Sequence, residues 1–235
     1  MKIALYGDSL TEGMAGVSYL NYLQELLPGH ELLNYGKGGD TVISLYQRIV
    51  RQQLVHPVDV IFLFVGVNDI FVHVSRHFHW LKTLARQPWV KDVDEFARYY
   101  QKTLDLLTPG AARVFTVSPL LIGENVANVW NKELAALCET ICRVSVDYGN
   151  VDYLDLRADF TAALDPDSIS PYVIKSATRV VLDTLFLNDK KIDRESAARG
   201  LQLTLDGVHL NSQGARLVAE NFDAAIRSLN HKEKN

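Results

Sequence analysis

The stretch Val58-Asp-Val-Ile-Phe-Leu-Phe-Val65 is apolar at every position but one. A strand with one wet face alternates apolar and polar residues, so an unbroken run needs cover on both faces, the environment of a central strand in a parallel sheet. Around this run the chain repeats one rhythm, a strand pattern followed by an amphipathic helix. Strand patterns fall at 2–6, 31–34, 58–65, 113–117 and 151–154. Helical patterns fall at 17–27, 41–54, 94–107, 128–146 and 212–229. Parallel neighbours require crossovers, and the helices between strands supply them, so the alternation predicts an α/β fold with a mostly parallel sheet.

Two regions break the rhythm. Residues 70–91 carry three His and two Trp without clean periodicity, and residues 157–205 read as mainly helical with a turn at Asp165-Pro-Asp167. Neither is needed to complete five strand–helix units, and insertions of this kind usually lie over the ligand end of a sheet. With 235 residues the chain is long enough for one well-buried domain, expected over 1–230, with a frayed charged tail at 231–235.

Hydrophobic residues at 48% and charged residues at 22% describe an ordinary globular chain. A net charge of −4 without a basic stripe argues against a nucleic-acid partner. No window holds the roughly 18 apolar residues that a membrane span needs. After Lys2, a short apolar run ends at Asp8, which is not a signal-peptide pattern, and a cytoplasmic location is expected. Cys138 and Cys142 are expected as free thiols, because side chains four apart on a helix rarely reach disulfide geometry. His73, His77 and His79 have no nearby Cys or Glu to complete a metal site, so no metal is expected there.

Ligands of an open parallel sheet bind beyond the carboxyl ends of its strands. The residues just after the strands are therefore the informative ones. Strand one runs into Gly7-Asp8-Ser9-Leu10, strand two into Gly38-Gly39-Asp40-Thr41, and strand three into Gly66-Val67-Asn68-Asp69. The last helix is preceded by Asp206-Gly207-Val208-His209. Nucleophilic catalysis needs a hydroxyl, an imidazole to take its proton and a carboxylate to fix the tautomer. Ser9, His209 and Asp206 supply these types, and the three-residue spacing lets Asp206 and His209 project to one side. A developing oxyanion needs converging donors, which the Ser9 and Gly39 N–H groups and the Asn68 amide offer. Each fragment alone also reads as a turn or a helix cap. Their joint occurrence, each just beyond a strand, favours chemistry.

Together these four blocks, in this order from Gly7 to His209, resemble the signature of the SGNH (GDSL) hydrolases. The resemblance implies a three-layer α/β/α fold with a five-stranded parallel sheet of flavodoxin-like order. It also implies an acyl-serine mechanism without metal or cofactor, with Ser9, Asp206 and His209 as triad and Ser9, Gly39 and Asn68 as oxyanion hole. Many members carry Pro after the histidine, where this chain has Leu210; Asn211 remains available to cap the final helix. The Gly-x-Ser-x-Gly elbow of ordinary α/β-hydrolases is absent.

The expected activity is hydrolysis of small or lipid-like carboxylic esters, with Asp8, Ile70, Phe71, Leu120 and Leu121 as candidate substrate contacts. A carbohydrate O-deacetylase or a thioesterase would use the same triad. A non-catalytic binding module on the same scaffold would be expected to lack Ser9, Asn68 or His209, and all three are present. The clusters Tyr172-Val-Ile174, Val180-Val-Leu182 and Leu185-Phe-Leu187 are expected to wall an acyl cleft or to contact a second copy in a homodimer.

Overall fold

The computed structural model describes residues 1–74 and 76–232, without the side chains of 76, 81, 177, 181, 185, 186 and 230–232. Five strands, β1 (Lys2–Gly7), β2 (Glu31–Gly36), β3 (Val58–Phe64), β4 (Ala111–Val117) and β5 (Val151–Leu154), form one sheet in the order β2-β1-β3-β4-β5. All four pairings are parallel, with Ile3 opposite Val60 and Lys2 opposite Glu31. The helices are α1 (Ser9–Glu12), α2 (Tyr19–Leu26), α3 (Val42–Gln52), α4 (Val67–Phe71), α5 (Arg76–Leu84), α6 (Val93–Leu107), α7 (Val129–Ser145), α8 (Leu156–Ala162), α9 (Ala177–Phe186), α10 (Asp189–Ala198) and α11 (Ser212–Lys232).

The pleat divides the apolar residues of β1 and β3 between two cores. Ile3, Leu5, Val60, Phe62 and Phe64 join α2, α8 and α11 on one face, and Phe62 stacks on Phe222 with ring centroids 4.1 Å apart. Ala4, Tyr6, Ile61, Leu63 and Val65 join α3, α6 and α7 on the other. Both faces of β3 are thus covered, which is why its sequence does not alternate.

Helix starts follow capping chemistry. Thr41 accepts from Ser44 N–H in a reciprocal capping box, Asp92 caps α6, and Asn128 caps α7. At the last helix Asn211 Oδ1 accepts from Gly214 N–H at 3.0 Å. α11 runs to Lys232, past the expected end at 229, and 233–235 lie outside the described residues. The region 70–91 contains one helix, α5, that its irregular pattern did not announce. Region 157–205 holds α9, α10 and most of α8, but 163–176 is not helical. Cys138 and Cys142 are free, Cys138 buried. No helix among the described residues is long and apolar enough to cross a membrane.

Candidate active site

The exits of β1, β2 and β3 and the turn before α11 converge at the carboxyl end of the sheet. At the β1 exit the chain bends directly into α1, with Asp8 as N-cap accepting from Leu10 N–H at 3.0 Å. Gly7 is required there, because a Cβ would lie 2.2 Å from Thr11 Oγ1 and 2.5 Å from the Phe64 carbonyl. The bend puts Ser9 first in α1, where its N–H has no intrahelical acceptor.

The turn Asp206–Gly207–Val208–His209 is closed by its own side chain. Asp206 Oδ1 accepts from Val208 N–H at 3.0 Å and from His209 N–H at 2.9 Å. Leu205 N–H donates to the His209 carbonyl at 2.7 Å, beside a bridge between Thr204 and Leu210. The second carboxylate oxygen, Oδ2, lies 2.8 Å from His209 Nδ1. With Nδ1–H donating to Asp206, Nε2 is left as the acceptor facing Ser9 Oγ at 3.1 Å.

Burial disfavours charge on His209, but the adjacent Asp206 carboxylate outweighs it and raises the imidazole above its ordinary range. Burial likewise opposes ionised Asp206, yet His209 and the turn's hydrogen bonds hold its carboxyl below the usual range. Asp8 and Asp69 are each 1% exposed. Burial pushes both up to about 7, partly offset by the Leu10 N–H on Asp8 and the Val42 N–H on Asp69.

The turn before α11 is itself anchored from a distance. Glu124, on the loop after β4, is buried and accepts from the N–H groups of Gln202, Leu203 and Thr204 and from the Thr204 hydroxyl. Arg199 bonds the Leu205 carbonyl at 2.9 Å and Asp183 on α9 at 3.0 Å. The stretch 202–205 leading into the Asp206–His209 turn is therefore tied to the loop after β4 and to α9.

Ser9, Gly39, Asn68 and His209 line a cavity of about 490 Å³. Asn68 sits in the first turn of α4 with its side-chain nitrogen buried and without a hydrogen-bond partner. Gly39 adopts φ +77°, a left-handed conformation that a side chain rarely tolerates, and its N–H has no partner among the described residues. Gly39 is partly exposed, whereas the buried, unpaired Asn68 amide calls for an acceptor from outside the chain. An anionic oxygen is such an acceptor.

The apolar wall differs from the sequence expectation. Phe71 lines the cavity, joined by Met14, Phe78, Val180 and Val208. Ile70 faces a separate depression beside Asp69, His73 and Val90. Leu120 and Leu121, each 2% exposed, pack in the core with Phe64 and Phe115 instead of facing the cavity. Asp8 lies beneath Ser9 as a cap and is not among the lining residues. In the 157–205 region Val180 reaches the cavity, Ile174 is core and Leu182 is exposed; the side chains of Leu185 and Phe186 lie outside the described residues. Sequence reasoning missed Glu12, Phe78, Lys82 and Gln87, which all line the cavity. No local pattern marks them, since their partners are remote in sequence. His79 packs edge-on against Trp89, and no cluster of three metal-ligating side chains occurs among the described residues.

A three-layer parallel fold with a serine–histidine–aspartate relay at its strand ends defines a class, the SGNH hydrolases. The chain belongs to the GDSL-like lipase/acylhydrolase family, whose model matches residues 5–217. Among solved structures it is similar to an acetyl xylan esterase, with 26% identity, a TM-score of 0.65, and coverage of 96% of this chain and 100% of that one. An acetylxylan esterase from Geobacillus stearothermophilus shares 20% identity over 94% of this chain and 91% of its own, with a TM-score of 0.65. An α/β hydrolase from the metagenome of Lake Arreo, Spain, shares 20% over 95% and 94%, with a TM-score of 0.64. No curated protein matches the sequence.

Proposed function

We propose that this protein hydrolyses carboxylic esters through an acyl-serine intermediate, with Ser9 as nucleophile, His209 as general base and Asp206 as its orienting partner. The observation that carries the reading is the continuous hydrogen-bonded path from Asp206 Oδ2 through the imidazole to Ser9 Oγ, at 2.8 and 3.1 Å. As Oγ attacks the acyl carbon its proton passes to Nε2, and the carbonyl oxygen becomes an oxyanion. The Ser9 N–H, the Gly39 N–H and the Asn68 amide receive it. His209 then hands the proton to the departing alkoxide, and water repeats the sequence to free Ser9.

The side of the cavity formed by Met14, Phe71, Phe78 and Val180 suits an apolar acyl or alcohol group. A second reading, removal of acetyl groups from a carbohydrate, draws support from the full-length similarity to an acetyl xylan esterase. The test is to label the protein with a fluorophosphonate and locate the adduct, then compare p-nitrophenyl esters from acetate to decanoate with acetylated xylo-oligosaccharides. The expected result is a single adduct on Ser9 and kcat/KM that rises with chain length. Highest kcat/KM on the acetylated sugar would replace the first substrate reading by the second. Turnover with the adduct on another serine would refute the nucleophile assignment.

A further inference from the structure

The Gly38–Gly39 peptide, whose N–H belongs to the proposed oxyanion hole, is held on both flanks by side chains from elsewhere in the chain. On one flank Glu12 Oε2, from the last residue of α1, accepts from Gly38 N–H at 2.8 Å. On the other, Lys82 Nζ in α5 and Gln87 Nε2 in the following loop both donate to the Gly39 carbonyl, at 2.8 and 2.6 Å. Lys82 Nζ also lies 3.3 Å from Gln87 Oε1, which joins the two donors.

Lys82 is 8% exposed, and no carboxylate among the described residues comes within ion-pair distance of it. Lysine is almost never buried without a partner, and here its charge meets the Gly39 carbonyl and Gln87 Oε1, with the carboxylates of Asp69, Asp8 and Asp40 attracting it from farther off. The adjoining Asp40 is independently fixed by Arg48 at 2.7 Å. A left-handed glycine is the residue with the widest conformational choice, so a loop of this kind keeps one conformation only when its polar groups are pinned.

The geometry points to Glu12, Lys82 and Gln87 acting as a clamp that positions the Gly39 N–H for the oxyanion, with residues 70–91 serving as the arm that delivers two of the three contacts. This inference rests on the esterase reading above. The clamp residues are positioning residues; they act through the Gly38–Gly39 peptide. Fixing both neighbouring peptides leaves the Gly38–Gly39 plane only the coupled rotation of Gly38 ψ and Gly39 φ, so the donor is largely aimed before substrate arrives. Such preorganisation is realised in the transition state and not in ground-state binding.

The test compares Lys82→Met, Gln87→Met, the double variant, Glu12→Ala and Glu12→Gln with the wild type. With p-nitrophenyl acetate the double variant should lose about 30- to 100-fold in kcat with KM changed less than about twofold, as expected for an angstrom-scale misplacement of a catalytic donor. Inhibition by a methyl trifluoromethyl ketone, which forms a tetrahedral oxyanion on the serine, should weaken by the same factor. Glu12→Gln, which keeps an acceptor oxygen, should recover most of what Glu12→Ala loses. Amide relaxation of ¹⁵N-labelled Gly39 provides a readout independent of any esterase activity. The Gly39 amide should be as rigid as the α3 backbone in the wild type and mobile on the nanosecond scale in the double variant. If Lys82→Met fails to fold, Gln87→Met with Glu12→Ala carries the same comparison. Retained kcat, a loss confined to KM, or a Gly39 amide equally rigid in all variants would overturn the clamp. A wild type without Ser9 labelling or turnover, but with Gly39 loosened as described, would instead overturn the esterase reading and leave the clamp standing.

Discussion

The tight turns at the strand ends and the two helical excursions, 70–91 and 157–205, reach the same cavity by opposite means. The turns close on themselves. Asp8 bonds a residue two ahead, Asp206 bonds residues two and three ahead, and Asn211 bonds one three ahead. The excursions make their contacts at long range, with Lys82 and Gln87 meeting Gly39 across 43 and 48 residues. On the proposed function the turns carry the reacting groups, while the excursions supply walls and props. Substitutions in the turns should slow every ester alike. Substitutions in the excursions should discriminate between esters or act through the groups they hold.

The largest effect tests the first half of that contrast. Ser9→Ala and His209→Ala should each lower kcat by about 10⁴ to 10⁶ for acetate and decanoate esters alike, with circular dichroism unchanged. Asp206→Asn should cost somewhat less, because the imidazole stays in place. A His209→Ala variant with near-normal kcat would assign the base elsewhere. Next, Asn68→Ala should reduce kcat by about 10² to 10³ with little change in KM. A change mainly in KM would move Asn68 from the turns' chemistry to substrate contact.

The second half is tested on the wall. Phe78→Ser and Val180→Ser should shift the chain-length preference of kcat/KM by roughly 1 to 3 kcal/mol while leaving acetate esters nearly unaffected. Leu182→Ser should do little, because Leu182 is 44% exposed. Equal losses on all esters for Phe78→Ser would erase the distinction between walls and reacting groups.

The smallest effects concern protons. His209 must be neutral to accept from Ser9, and its folded-state value is raised. Activity should therefore climb with pH through a single ionisation above the ordinary imidazole range of about 6.5. Asp69 ionises at about 7 in the folded protein and near 4 when unfolded. A raised value means that its contribution to stability is complete below about pH 4 and is lost as pH rises through about 7. Asp69→Asn keeps the acceptor for Val42 N–H and removes the buried charge, so it should stabilise the fold at pH 8 by about 1 to 3 kcal/mol and much less at pH 5. Equal urea midpoints for the two proteins at pH 8 would contradict that placement of charge.

The same contrast explains what could be read from sequence. The five strands and the pieces of the site at Ser9, Gly39, Asn68, Asp206 and His209 were legible because strand ends and self-closing turns are local patterns; the strand order came only with the family resemblance. Glu12, Lys82, Gln87 and Glu124 were not, because a lone Glu, Lys or Gln looks the same in sequence whether it faces solvent or a backbone group far along the chain. Leu120 and Leu121 were expected in the cleft and lie in the core, since apolarity records removal from water and not the direction of burial. Val180, in a cluster expected to wall a cleft, does reach the cavity, whereas Phe78 was not legible, because residues 70–91 lack a periodicity that would show which face of α5 turns inward.

The hydroxyl of Ser9 and the imidazole that faces it are separated by 200 residues, most of the length of the polypeptide. Synthesis at about 5 to 20 residues per second puts the serine outside the ribosome some 10 to 40 seconds before its histidine exists. Throughout that interval the exposed hydroxyl is an ordinary alcohol, inert toward the esters around it. The stretch that leads into the turn holding His209 rests on Glu124 and, through Arg199, on Asp183 of α9. The two groups can therefore meet only after nearly the whole chain has been made.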